Sequence, residues 1–323
     1  MPQPDVPYRQ WVLSLPWDLR ALCARRADVL TAVSRALWRA LRAELCNRSE
    51  MLDAEPAAVT FVQRFGGSLN LNVHLHVVST DGVFVLAHGG ARFAPLPEPT
   101  TEQVERVLER ARTSILRWLR RDGYLDDGDE AAAHDEPDDE PDGLQACQRL
   151  ALGYGTLVRL SGAAPVDDRQ ARFEPNRRHR CHARTEDGFD LDASVHIEQG
   201  DDRGRERLVR YCARPAIVLE RLERLPDARY TYRTKYTRNG RTHRVMTGTE
   251  LLARIAALVP PPRYPLVRYH GCFRAGPHLA PLGRAQAAAA TGGRVHPHLA
   301  AHRAALAPAR AVPRVAAPDA TDR

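Results

Sequence analysis

The sequence predicts an α/β fold of the α+β kind: an antiparallel sheet carrying a His-hydrophobe-His motif and covered by helices. Three features lead there. Residues 69–77 alternate apolar and polar side chains without a slip, the period of a half-buried strand. Residues 18–45 and 102–121 instead repeat apolar side chains every three or four positions, the period of one helical face. Asp81-Gly82 and Asn239-Gly240 are hairpin dipeptides set between strand-like runs, which favours antiparallel pairing.

The first element is a predicted strand over Tyr8–Leu15, stopped by Pro16. Leu19, Leu22, Cys23, Val29, Leu30, Val33, Leu37, Leu41 and Leu45 then predict one helix from about Asp18 to Leu45. Phe61–Phe65 reads as a short strand, Gly66-Gly67-Ser68 as a turn and Leu69–Thr80 as the main strand, with Asp81-Gly82 turning into a partner, Val83–Leu86. Helices are predicted at Glu102–Arg121, at 144–152 and at Arg203–Arg214, the last closed by Pro215, which cannot continue the hydrogen-bond ladder. Arg229–Thr237 and Arg241–Val245 form a predicted hairpin through Asn239-Gly240. Thr247 and Glu250 have capping-box spacing for a helix from about Thr249 to Val259, ended by three prolines. Residues 153–200 are weakly patterned.

These elements divide the chain into a first half, 1–121, that holds the histidine strand, and a second, 143–275, that holds the tyrosine helix and hairpin. Between them, 122–142 carries eleven carboxylates and no Lys or Arg, the composition of a disordered linker. Residues 276–323 are Ala, Pro, Arg, His and Gly with few large apolar side chains, a predicted disordered tail. The net charge of +7 understates how basic the body is: with the acidic run set aside, 47 basic residues face 29 acidic ones. Such a surface suits a polyanion. The six cysteines include no CxxC pair, so neither a zinc knuckle nor a disulfide framework is read from them. With no leader-like start and no run of 18 apolar residues, the expectation is a cytoplasmic protein with no membrane partner.

Within the alternating strand, Leu69, Leu71, Val73, Leu75 and Val77 are predicted to face a core, and Asn70, Asn72, His74 and His76 the opposite side. Two imidazoles on neighbouring same-side positions can lean onto one divalent cation. A solvated polar face is the plainer alternative. In the predicted helix, Leu208, Val209 and Cys212 share a face with Tyr211 at its edge, and Arg207 and Arg214 flank the phenol at i−4 and i+3. Guanidinium groups there favour a phenolate and grip phosphate. A half-buried tyrosine packed under surface arginines is the alternative.

Four blocks in order, YRQWVLSLPWDLR, QRFGGSLNLNVHLHVVSTDGVF, VRYCARPAIVLERL and LVPPPRYPLVRYHG, resemble the rolling-circle transposases of the insertion-sequence-ninety-one type and the related common-region elements, within the HUH endonuclease superfamily. The resemblance spans roughly residues 7–272. It implies that His74 and His76 hold a divalent metal, Mg²⁺ or Mn²⁺, with Gln63 or Asp81 as the third ligand, and that Tyr211 is the catalytic nucleophile on single-stranded DNA at element ends and target. Arg207, Arg210 and Arg214 then position the DNA backbone. Many members carry two tyrosines four residues apart; here the earlier position is Arg207, which points to the single-tyrosine branch. One tyrosine implies either its reuse or a homodimer. Relatives also carry a cysteine-rich zinc-binding segment ahead of the YRQWVLSLP block, which this sequence lacks. The alternatives are a non-catalytic DNA-binding remnant of such a transposase and an HxH metal hydrolase using a further His or Glu such as the His196–Glu198 pair.

Overall fold

A computed structural model describes residues 5–87, 90–125, 143–152, 181–238, 241–260 and 263–274. Most of the acidic run, the predicted tail, the Asn239-Gly240 turn and His179, His296, His298 and His302 lie outside the described residues. The chain begins with β1 (Tyr8–Ser14), α1 (Trp17–Arg25), α2 (Ala27–Ser49), β2 (Ala57–Phe65) and β3 (Leu71–Thr80). It continues through β4 (Gly82–Ala87), β5 (Gly90–Pro95), α3 (Thr101–Arg121), α4 (Gly143–Leu152), β6 (His182–Arg184) and β7 (Asp190–Ile197). The remainder is α5 (Asp202–Cys212), β8 (Leu222–Arg224), β9 (Tyr230–Arg238), β10 (Arg241–Met246), α6 (Gly248–Leu258) and β11 (Val267–Gly271).

Six strands form the main sheet in the order β11-β2-β3-β1-β7-β6, and every pairing is antiparallel. One face is the main core. Trp11, Leu13, Leu71, Val73, Leu75 and Val77 pack there against apolar residues of α1, α2 and α3. Each fully buried Leu or Val contributes about 2 kcal/mol relative to exposure. The opposite face carries a smaller cluster in which Leu208 and Cys212 of α5 sit on Tyr8, Val59, Phe61 and Val78. The tyrosine helix is thereby docked on the face the histidines point from.

Local chemistry accounts for the helix ends. Thr100 and Gln103 form a reciprocal capping box at the start of α3. Asp201 accepts from Gly204 N at the start of α5, and Thr247 accepts from Glu250 N at the start of α6. Arg64 of β2 is buried and donates to Ala24 O at 3.1 Å and Ala257 O at 3.3 Å. Its guanidinium thus serves the carbonyl ends of two helices at once, where a cation is favoured.

Three expectations need correction. The helix predicted from Asp18 to Leu45 is two helices, because Arg26 is extended between them (φ −113°, ψ 108°) and Asp28 receives its guanidinium. The apolar period also skips there, from Cys23 to Val29. Leu69 does not continue the strand: its φ is 55° and its side chain joins Tyr232, Met246 and Leu251. Finally, Asp81-Gly82 does not make a hairpin back onto β3; β4 pairs with β5 instead. Gly82 sits so close to β5 that an added Cβ would lie 2.3 Å from Ala94 O.

Candidate active site

Register places the polar side chains. Ser14 of β1 and Gln63 of β2 stand opposite His74, and Val12 and Phe61 stand opposite His76. Side-chain alternation puts Gln10, Gln63, His74 and His76 on the face that receives α5. The His74 and His76 ring centroids are 4.8 Å apart. Tyr211, 37 % exposed, lies edge-on to His76 at 5.7 Å between centroids, while His76 is 2 % exposed. Arg214 completes the row, its Cζ 4.5 Å from the Tyr211 ring centroid and 5.4 Å from that of Phe65.

Hydrogen bonds hold this arrangement. His74 Nδ1 lies 2.8 Å from Asn72 O, an acceptor that fixes the proton on Nδ1 and leaves Nε2 its lone pair. Burial pushes the His74 pKa down to about 4, aided by Arg20 and Arg214, so the ring is neutral near pH 7. Gln10 Nε2 lies 2.8 Å from His76 Nδ1 and 3.3 Å from Cys212 Sγ, joining the strand to the helix end. Gln63 Nε2 donates to Tyr211 O and Cys212 O at 3.0 and 2.9 Å. Its Oε1 is buried and has no hydrogen-bond partner among the described residues.

The other candidates separate cleanly. Asp81 Oδ2 receives Arg9 Nε and Nη2 at 3.0 and 2.8 Å, and His196 Nε2 approaches it at 3.2 Å. Arg9 alternates with Trp11 and Leu13 on the main-core side, so Asp81, His196 and the adjoining Glu198 lie across the sheet from His74 and His76. Asp190 and Asp192 of β7 share the histidine face but stand two strands from β3, about 10 Å away. They engage His182 and Ser194. No group of three His, Cys, Asp or Glu is placed to hold a metal among the described residues. Arg210 is exposed and bound to Glu206, and Arg207 is exposed on α5. Sequence reading missed Gln10 and Arg20; glutamine carries no motif signal, and Arg20 gains meaning only once α1 is docked. Among the aromatics, Tyr8 and Trp11 are core residues, whereas Tyr269 on the edge strand β11 is 59 % exposed. His270 is structural, stacked on Trp38 at 4.9 Å and 2.9 Å from Thr60 Oγ1.

Fold and site together define a class: an α+β protein that gathers an imidazole pair, a phenol and a guanidinium on one face of an antiparallel sheet. The chain belongs to a transposase family, for the family model described as "Putative transposase" matches residues 57–278, a stretch that includes His74, His76 and Tyr211. No curated protein and no solved structure matches the chain. No helix among the described residues is long and apolar enough to cross a membrane.

Proposed function

We propose that the protein cleaves and rejoins single-stranded DNA through a 5′-phosphotyrosine on Tyr211, the chemistry of rolling-circle transposition in the HUH endonuclease manner. The observation that carries this reading is the row His74–His76–Tyr211–Arg214, drawn together from β3 and from the end of α5.

A divalent ion, Mg²⁺ or Mn²⁺, fits the donors present: His74 Nε2, His76 and the orphaned Gln63 Oε1. His76 joins this set when the Gln10 amide is turned by half a rotation, so that its oxygen accepts from Nδ1–H. When bound, such an ion polarises a non-bridging phosphate oxygen and offsets charge in the transition state. The chain's own groups do the rest. The Tyr211 oxygen attacks phosphorus in line, an O–P bond forms, and the bond to the 3′ oxygen breaks. The phenolic proton is lost to solvent and the leaving oxygen takes one up, so a 3′-hydroxyl is released. Attack by another 3′-hydroxyl reverses the step without ATP. Arg214 is placed to grip the phosphate beside the phenol, with Arg207 and Arg210 on the exposed helix surface for the flanking backbone. Because one tyrosine serves, strand transfer requires either its reuse or a homodimer.

A hydrolase built on the histidine pair needs a further His or Glu. The His196–Glu198 pair lies with Asp81 across the sheet. A DNA-binding remnant keeps the surface without turnover, and the same assay separates it. Protein, Mn²⁺ and a pool of random-sequence single-stranded oligonucleotides are incubated and run on a denaturing gel. The expected result is a covalent protein–DNA adduct that disappears with Tyr211→Phe. An undiminished adduct in that variant, or none in the wild type, overturns the proposal.

A further inference from the structure

We propose that the histidine pair takes up its divalent ion together with a DNA phosphate rather than before it, and that Arg20 and Arg214 impose this order. The inference rests on the reading above and concerns what the site requires before chemistry starts.

The first support is the donor set. His74, His76 and the Gln63 amide oxygen are all neutral, and no carboxylate joins them. Asp81 is turned to the far side of the sheet and held there by Arg9, and Asp190 and Asp192 are two strands away. Mg²⁺ and Mn²⁺ favour hard, anionic oxygens, so three neutral donors bind them weakly.

The second support is charge. Arg20 of α1 is anchored by its Nε on Leu15 O at 2.7 Å. Leu15 directly follows Ser14, the residue opposite His74 in the β1–β3 register. Arg214 lies on the other flank, against the Tyr211 ring. Both guanidinium groups act on His74 to disfavour positive charge there. What opposes a proton at that ring opposes a divalent cation more strongly. A phosphate reverses the sign: it supplies the missing anionic oxygen and neutralises the two arginines. Linkage then requires that ion and DNA strengthen each other's binding by the same factor.

The test is Mn²⁺ binding, followed by the paramagnetic resonance signal of the free ion. It uses the Tyr211→Phe chain with and without saturating random-sequence single-stranded oligonucleotide. The His74→Ala/His76→Ala double variant with the same oligonucleotide supplies the background of ions held by DNA alone. The expected result is site affinity about ten-fold or more higher with oligonucleotide than without. Arg20→Gln is expected to move the two measurements in opposite directions, tightening Mn²⁺ binding to the protein alone and reducing the gain from DNA. Arg214→Gln repeats this from the other flank should the first variant fold poorly. Equal Mn²⁺ affinity with and without oligonucleotide, or weaker binding to DNA-free Arg20→Gln, overturns the inference. If Tyr211 adducts form normally beside equal affinities, the inference alone falls. If no adduct forms and the histidine substitutions leave Mn²⁺ binding unchanged, the functional reading falls with it.

Discussion

Gln63 holds the last two carbonyls of the tyrosine helix, donating from one Nε2 to both Tyr211 O and Cys212 O, while standing opposite His74 on the neighbouring strand. One amide therefore sets the distance between the phenol and the imidazole pair. Gln63→Leu leaves both carbonyls without their donor. The expected result is a loss of about 1–3 kcal/mol in unfolding free energy and an adduct yield at least about ten-fold lower. Denaturant unfolding and the denaturing-gel assay read the two effects separately.

Asp81 offers the opposite expectation. Its carboxylate is buried with Arg9, so Asp81→Asn removes one partner of an enclosed ion pair, at about 3–5 kcal/mol. Mn²⁺ affinity in the presence of oligonucleotide is expected to stay as in the parent chain under conditions where the variant is folded. A parallel loss of ion binding would make Asp81 part of the site after all.

Acid sensitivity follows from two histidines held neutral. Burial pushes both His74 and His270 down to about 4, against about 6.5 in an unfolded chain. Between those values the unfolded state binds protons that the folded state refuses. Their contribution is therefore fully present above about pH 6.5 and is lost as pH falls toward 4, with a slope approaching about two protons. Urea unfolding at about pH 7 and about pH 5 measures it, and His270→Asn is expected to remove about half the slope.

Arg64 ties the C-terminal carbonyls of α1 and α6 to β2. Arg64→Ala leaves a cavity and two carbonyls without their donor, an expected cost of about 2–4 kcal/mol. Arg64→Met, which keeps most of the volume, is expected to cost less. Unfolding midpoints of the two variants decide between packing and capping as the larger contribution.

Tyr269 is the exposed aromatic on β11, and alternation with Val59 and Phe61 puts it on the histidine face. Stacking with an unpaired base is worth about 1–3 kcal/mol. Tyr269→Ala is expected to weaken single-stranded oligonucleotide binding by that amount with little change in fold stability. Fluorescence anisotropy at fixed salt is the measurement.

The parts that local pattern encodes were legible from the residues alone. Strict alternation identified β3 and the side from which His74 and His76 point, and the three-and-four spacing before Pro215 identified α5. What could not be read is what register decides. Gln10 and Gln63 look like ordinary polar positions until β1 and β2 flank β3. β7 was hidden because its Asp190 and Asp192 alternate with only Leu191 and Ala193, too short a pattern to stand out. β11 is an edge strand whose Val267 and Tyr269 stay exposed, so it lacks the apolar run of a central strand. The break at Arg26 was visible in the six-residue gap between Cys23 and Val29, a signal outweighed by the regular spacing on either side.

The sheet order has a temporal side. Gln63 and Tyr211 are 148 positions apart, and Gln10 and Cys212 are 202 apart. During synthesis the imidazole-bearing strand leaves the ribosome long before the helix that must dock on it. A nascent or prematurely terminated chain therefore holds imidazoles without a nucleophile and is harmless to DNA. Competence to cut arrives only when the later half folds back over the earlier one, so the length of the polypeptide itself acts as a safety catch.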